Sequence, residues 1–226
     1  MTCALVLVAA LGIAPLAHAQ ADLKEAGLVL KAASVFDEIM AAPDNTIPKA
    51  ILDKAEGIAV FPGMLRGAFI FGAQRGKGVI SVRNRKTGTW SAPAFLTITG
   101  GSWGAQIGGQ SIDLVLVIRD EKGLNNFLGN QFKIGGEASA AAGPVGRSAE
   151  ASTDVQMRAQ ILSYSRSRGV FAGIALNGSS VHQDVDANER MYGGRYKTRD
   201  IVIDRRGGSP GAIGPWRDVL KKYVGQ

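Results

Sequence analysis

The chain has 226 residues, 46% of them hydrophobic and 20% charged, enough apolar material for one sizeable core and too little charge for a disordered chain. Its formal net charge of +7 calls for an acidic partner such as phospholipid, nucleic acid or an anionic polymer. A single cysteine, Cys3, excludes an internal disulfide framework.

Residues 1–19 carry no Lys, Arg, Asp or Glu. An apolar run from Ala4 to Leu16 ends at Ala17-His18-Ala19, the small-x-small pattern of a signal-peptidase site. The reading is an export signal over 1–19 and one domain over 20–226, although no Lys or Arg precedes the apolar run. Pro15 and the cleavage pattern oppose the alternative of an uncleaved anchor. Cleavage would remove Cys3 and with it thiolate chemistry, and export makes nucleic acid the poorest of the acidic partners.

The period of Asp22 to Ala42 predicts a helix ended by Pro43, with Leu23, Ala26, Leu30, Ala33, Phe36 and Met40 as its apolar stripe. Its charges, Lys24 and Lys31 against Asp22, Glu25, Asp37 and Glu38, sum to −2. That favours a helix packed on its own domain over one lying on a membrane, where a basic polar face is usual. Ile47 to Glu56 reads as a short helix with Pro48 near its start. Gly57 to Phe61 reads as a buried strand stopped by Pro62-Gly63. Ala68 to Ala73 and Gly78 to Arg83 read as a hairpin across Gln74-Arg75-Gly76-Lys77. At such a tip Arg75 and Lys77 would flank backbone N–H groups able to hold a phosphate, though charged hairpin tips are common.

A turn at Lys86–Thr89 leads to strands at Ala94–Thr99 and Ile112–Ile118. The glycines of Gly100–Gly109 suit bent strands and do not follow the strand-to-helix dinucleotide pattern. A short helix is expected at Leu124–Leu128, then strand, turn and strand over Phe132–Gly146. Val155, Met157, Ala159 and Ile161 alternate with polar residues as in a half-buried strand, and the pattern breaks at Tyr164–Gly169. There Arg166 and Arg168, two apart, would face the same way on an extended chain. Val170–Leu176, a turn at Asn177-Gly178 and a return strand Ser179–His182 follow. Asp186–Glu189 reads as a capping box opening a helix that Gly193-Gly194 closes. Asp200–Asp204 reads as a short strand, Arg205–Gly211 as a flexible loop and Trp216–Val224 as a closing helix. Between Arg190 and Lys222 nine basic residues face three acidic ones, so most of the excess charge lies there.

These elements predict an α+β domain whose antiparallel, barrel-like sheet of many short strands is flanked by N- and C-terminal helices. Catalysis finds little support. His182 is the one histidine beyond the signal, and no Gly-x-Ser-x-Gly elbow accompanies it. Asp184-x-Asp186-x-Asn188 opens like a calcium loop, but Glu189 stands where the glycine belongs and Arg195 where a bidentate carboxylate is needed. A looser oxygen-ligand site and a plain helix cap both remain open for these residues. No cofactor and no catalytic residue is expected.

The run YSRSRGVFAGIALNGS (164–179), with the aspartates, Asn188 and Tyr192-Gly193 after it, resembles the signature of the SYLF domain family, a lipid-binding group first noted in yeast actin-patch proteins. The likeness extends to Ile47-Pro48, Ala55–Pro62, Gly88–Phe95, Gly104–Gln110 and Ala142–Arg147. It implies a non-catalytic domain that binds anionic phospholipid head groups; with the export signal, the expectation is a periplasmic or secreted protein, peripheral to a membrane. Arg166 and Arg168, with Arg75 and Lys77, would pair with phosphates, while Leu23, Leu30 and Phe36 dip into the interface. The structural alternative for Arg166 and Arg168 is pairing with carboxylates to fix strand order. Family members in eukaryotes are linked to phosphoinositides and actin; export argues against both here. An envelope scaffold that binds proteins and no lipid is the competing reading.

Overall fold

A computed structural model describes residues 14–42, 46–68, 72–102, 108–146, 156, 158–167, 169–176 and 178–224. Its centre is a nine-stranded sheet in the order β5-β9-β3-β2-β1-β4-β7-β6, with β8 pairing β7. The strands are β1 (Gly57–Ala68), β2 (Gly72–Val82), β3 (Ala94–Ser102), β4 (Gly108–Ile118), β5 (Gln131–Lys133), β6 (Ala140–Ala142), β7 (Ile161–Ser167), β8 (Val170–Gly173) and β9 (Ser179–Gln183). All pairs are antiparallel except β6 with β7, and the sheet curls into a half-barrel. The helices are α1 (Ala14–Ala41), α2 (Lys49–Leu52), α3 (Glu121–Phe127), α4 (Val185–Tyr192), α5 (Thr198–Val202) and α6 (Gly214–Val224). The expected α+β class, the half-closed antiparallel sheet and the helices at both ends are what the structure has.

Both faces of the central strands are buried, so their sequences read as continuous apolar runs. On β4, Val115 and Val117 join the core beneath α1 and α6, while Leu114, Leu116 and Ile118 join the core on the opposite face with Phe127 and Phe132. The α1 helix presents Val29, Ala32, Phe36 and Ile39 to the sheet, a spacing of three or four residues that keeps one stripe inward. Phe36 meets Trp216 of α6 edge-on at 6.1 Å. The Trp216 indole donates to Ser81 Oγ at 2.8 Å, and that hydroxyl donates to the Ser91 carbonyl, so the buried polar atoms are paired.

Several sequence expectations fail, for identifiable reasons. Pro62-Gly63 does not end β1. The register against β4 shifts between Phe61 and Met64, Gly63 adopts φ +60°, and the strand continues to Ala68. A bulge tolerates a proline because no ladder donor is required there. Residues 74–77 lie inside β2, paired with β3 along their length; the connection between β1 and β2 falls at 69–71, outside the described residues. β7 runs through Ile161–Ser167, so the segment read as a break is the strand itself, half-buried at Ser165–Ser167. β8 and β9 do not form a hairpin: β9 pairs β3 and β5 at the other side of the sheet. β5 and β6 likewise belong to opposite edges. Residues 198–202 are a helix, with the Asp200 carboxylate accepting from the Lys197 N–H. Asp184, two residues before the expected position, caps α4 by accepting from the Ala187 N–H at 3.0 Å. Gly193 closes α4 as expected, at φ +72°.

Gly78 marks a close approach at the centre of the sheet. A Cβ there would lie 2.4 Å from the Val60 carbonyl oxygen and 2.5 Å from the Phe61 ring. Gly78→Ala is therefore expected to destabilise the fold by about 2 kcal/mol or more, lowering Tm by roughly 4–8 °C in thermal unfolding followed by circular dichroism. An unchanged Tm would remove this contact from the account.

Candidate functional site

The expected site residues do not form one cluster. Arg166, on β7, sits opposite Asp113 of β4. Its Nε and Nη2 donate to Asp113 Oδ2 at 3.1 and 2.8 Å, and its Nη1 donates to Glu38 Oε2 of α1 at 2.7 Å. The other Asp113 oxygen accepts from the Gly63 N–H at 2.9 Å, inside the β1 bulge. One guanidinium thus joins two strands, a bulge and a helix. Three of its five N–H groups, and its charge, are engaged by the two carboxylates, which favours the structural alternative over a lipid contact. Arg168 lies outside the described residues.

Arg75 and Lys77 point to the face of β2 that also bears Val79, two residues apart on one strand and away from any tip. Lys77 Nζ pairs with Asp184 Oδ2 at 2.6 Å, so it fastens the α4 cap to the sheet. The phosphate-holding hairpin is therefore corrected to a strand with one of its two cations occupied. Arg75 is exposed, opposite Leu65, which is also exposed. The calcium-like run is likewise engaged: Asp184 by Lys77 and the cap, Asp186 by Arg195 at 3.4 Å. Among the described residues no three His, Cys, Asp or Glu side chains gather closely enough to hold a metal ion.

On α1 the stripe is rotated from its expected position. Phe36 is 0% exposed and deep in the core, so it cannot enter a membrane interface; Leu23 and Leu30 are 72% and 49% exposed. They stand seven residues apart on the outer face, beside exposed Lys24 and Lys31 at the same spacing. Between them a Cβ placed on Gly27 would meet nothing within 4 Å.

Three acids of the same helix, Glu25, Asp37 and Glu38, are paired within the fold. Glu25, only 2% exposed, accepts from Arg190 of α4, Nε to Oε1 at 2.8 Å. Asp37 pairs with Lys222 of α6 at 2.8 Å, and Glu38 with Arg166. Hydrogen bonds from Lys222 and Tyr223 hold the Asp37 carboxyl below its usual range, and those from Ser34 and then Arg166 do the same for Glu38. The patch formed by Leu23, Lys24, Leu30 and Lys31 therefore shows two cations and two leucines, while Glu25, Asp37 and Glu38 are each paired with a cation of another element.

Sequence reading missed a second cationic place at the far end of β2. There the β2–β3 connection, the turn at Arg205 and α6 enclose a cleft of about 440 Å³. The only forewarning was the basic surplus after Arg190. Asn188, read in the sequence as part of a calcium-like run and of the family signature, is a buried bracket: its Oδ1 accepts from the Phe95 N–H and its Nδ2 donates to the Tyr196 carbonyl.

A curled sheet sealed by helices, presenting cations and leucines outward, describes an α+β domain built around its surfaces. A family model described as Ysc84, Las17-binding protein actin regulator, matches residues 99–223. Protein YSC84 of Saccharomyces cerevisiae is 32% identical over 89% of this chain and 43% of its own length. LAS seventeen-binding protein 3 of the same yeast is 32% identical over 89% of this chain and 44% of its own. SH3 domain-containing YSC84-like protein 1 of Xenopus laevis is 34% identical over 72% of this chain and half of its own. The chain belongs to this family, whose shared unit is the SYLF domain, and spans about half the length of the curated relatives it matches. One of these relatives is named a binding protein, and the family model is described as an actin regulator. Their names give no support to the expectation that actin-linked partners are excluded.

Removing the Arg166 guanidinium leaves Asp113 half-buried beside the bulge. Arg166→Met is expected to cost about 2–3 kcal/mol in denaturant unfolding. Because the Glu38 pKa is lowered on folding, its contribution is fully present above the ordinary value of 4.5 and is lost as pH falls through the lower folded value. Glu38→Gln should flatten the acid limb of the stability profile; an unaltered limb would count against the pairing.

Proposed function

We propose that this is a non-catalytic domain that binds anionic phospholipid surfaces through the outer face of α1. The observation that carries this reading is the pairing pattern: the fold neutralises Glu25, Asp37 and Glu38 and leaves Leu23, Lys24, Leu30 and Lys31 turned outward. A helix packed on its own domain by one face and basic-apolar on the other can lie in a membrane interface without unfolding anything. Each fully buried leucine contributes about 1.5–3 kcal/mol and each lysine near an anionic surface about 1 kcal/mol, so the four together support reversible attachment that salt weakens. Arg75 and Leu65 add a cation and an apolar side chain on the strand ends. The export signal read over residues 1–19 places this encounter outside the cytoplasm, on anionic glycerophospholipids, and cleavage after Ala19 leaves Leu23 near the start of the helix.

The relatives' names favour a second reading, a surface for a protein partner. Vesicle co-sedimentation separates the two. Wild-type protein is expected to sediment with vesicles containing phosphatidylglycerol, less at high salt, and not with pure phosphatidylcholine. Leu23→Ser/Leu30→Ser should reduce binding by about ten-fold or more with an unchanged circular dichroism spectrum. No sedimentation of the wild type at low salt would leave the protein-partner reading standing.

A further inference from the structure

We propose that the cleft between the β2–β3 connection, the Arg205 turn and α6 binds a phosphomonoester, its dianion held by Arg205 and Arg217. This site is independent of the outer face of α1 and lies at the opposite end of β2 from Arg75.

The first ground is unbalanced charge. Two arginines line the cleft with no carboxylate among its walls. Among the described residues, neither pairs with Asp or Glu, in contrast to Arg85, Arg166, Arg190 and Arg195, which all do. Arg205 reaches only the Val82 and Thr89 carbonyls, at 3.5 and 3.4 Å, and Arg217 only Ser209 Oγ, at 3.3 Å. These are long contacts for charged donors. Burial and the like charge of Arg217 push the Arg205 guanidinium below its ordinary pKa. An anion between the two would relieve both effects.

The second ground is how the fold holds Arg205. It is the one non-glycine residue with positive φ among the described residues, at +58°, a conformation that a bulky side chain adopts at a cost. The turn expected to be flexible is tied down: the N–H groups of Asp204 and Arg206 donate to the Arg199 and Asp200 carbonyls. The guanidinium is thus presented by an anchored backbone.

The third ground is the lining. Thr87, Thr89 and Ser209 add hydroxyl donors, and Trp90 forms a wall. The volume, about 440 Å³, falls in the range of small-ligand sites and exceeds what a bare phosphate needs. Arginines, hydroxyls and an aromatic wall together suit a phosphate carrying a small organic group. Such a phosphate could come from a soluble metabolite or from a phosphatidic acid head group. The adjoining cleft, with Arg217 and Lys221 against Asp218, carries a carboxylate and is the poorer anion site.

Calorimetric titration of the full chain with glycerol 3-phosphate, with glycerol as the uncharged control, tests the proposal. Saturable binding of the phosphate alone is expected, weakened about ten-fold or more by Arg217→Gln and by Arg205→Asn. Asparagine suits the left-handed backbone at 205, and Arg217 is solvent-facing on α6, so both variants should fold; circular dichroism checks this, and Thr87→Val replaces either that does not. Vesicles of phosphatidylcholine with phosphatidic acid identify the source. Loss of sedimentation in the arginine variants assigns the site to a lipid head group; unchanged sedimentation with lost glycerol 3-phosphate binding assigns it to a soluble phosphomonoester. Leu23→Ser/Leu30→Ser should retain glycerol 3-phosphate binding, which separates failure at α1 from failure here. No saturable heat in the wild type, or full affinity in folded arginine variants, overturns the proposal.

Discussion

The placement of α1 across the sheet is the constraint on which the remaining surfaces depend. Val29, Ala32, Phe36 and Ile39 close one of the two cores, with Phe36 edge-on to Trp216. Ion pairs fix the helix along its length: Glu25 to Arg190 on α4, Glu38 to Arg166 on β7, and Asp37 to Lys222 on α6. Apolar burial supplies most of the free energy, since it scales with area removed from water. The charged contacts act mainly on rotation and register, because half-buried pairs gain little beyond their desolvation cost yet penalise any arrangement that separates them. With the helix held this way, Glu25, Asp37 and Glu38 are each paired with a cation of another element, and Lys24, Lys31 and two leucines are left outward.

Asp113 shows how closely the elements are linked. It accepts from Gly63 in the β1 bulge and from Arg166, which in turn reaches Glu38. The bulge that lets β1 run past Pro62 is thereby coupled to the strand bearing the family signature and to the helix above it. Lys77 and Asp184 repeat the arrangement at the other side of the sheet, joining β2 to the α4 cap. The cations Arg85, Arg166, Arg190 and Lys77 in the body of the fold are matched by carboxylates. Those around the Arg205 turn are not, and the contrast separates structural charge from charge available to a ligand.

Much of the architecture was legible from local pattern. The buried strands around Val60, Val79 and Val115 are short apolar runs bounded by turns, and α6 carries a clear helical period. What failed was non-local. Nothing in Gln74–Lys77 reveals that β3 pairs along its length, and nothing in Asn177-Gly178 reveals that β9 leaves β8 to pair with β3 and β5. Residues 198–202 carry β-branched Thr198, Ile201 and Val202, a composition that suits a strand; the Asp200 cap and packing on β2 and β3 make them helical.

The chain's own order of residues determined the family, the α+β class, the two-sided burial of the central strands and the basic surplus of the last part, because motif, period and charge count are local properties. It also supplied every residue of both proposed surfaces, but not their membership. Only the tertiary structure decided that Phe36 faces inward while Leu23 and Leu30 face out, that Arg166 and Lys77 are bound to carboxylates, and that Arg205 and Arg217 meet without one. The reason is that a side chain's availability depends on which distant partner reaches it. Glu25 and Arg190, or Asp113 and Arg166, are brought together by sheet order and helix packing, and neither is written in the spacing of neighbours.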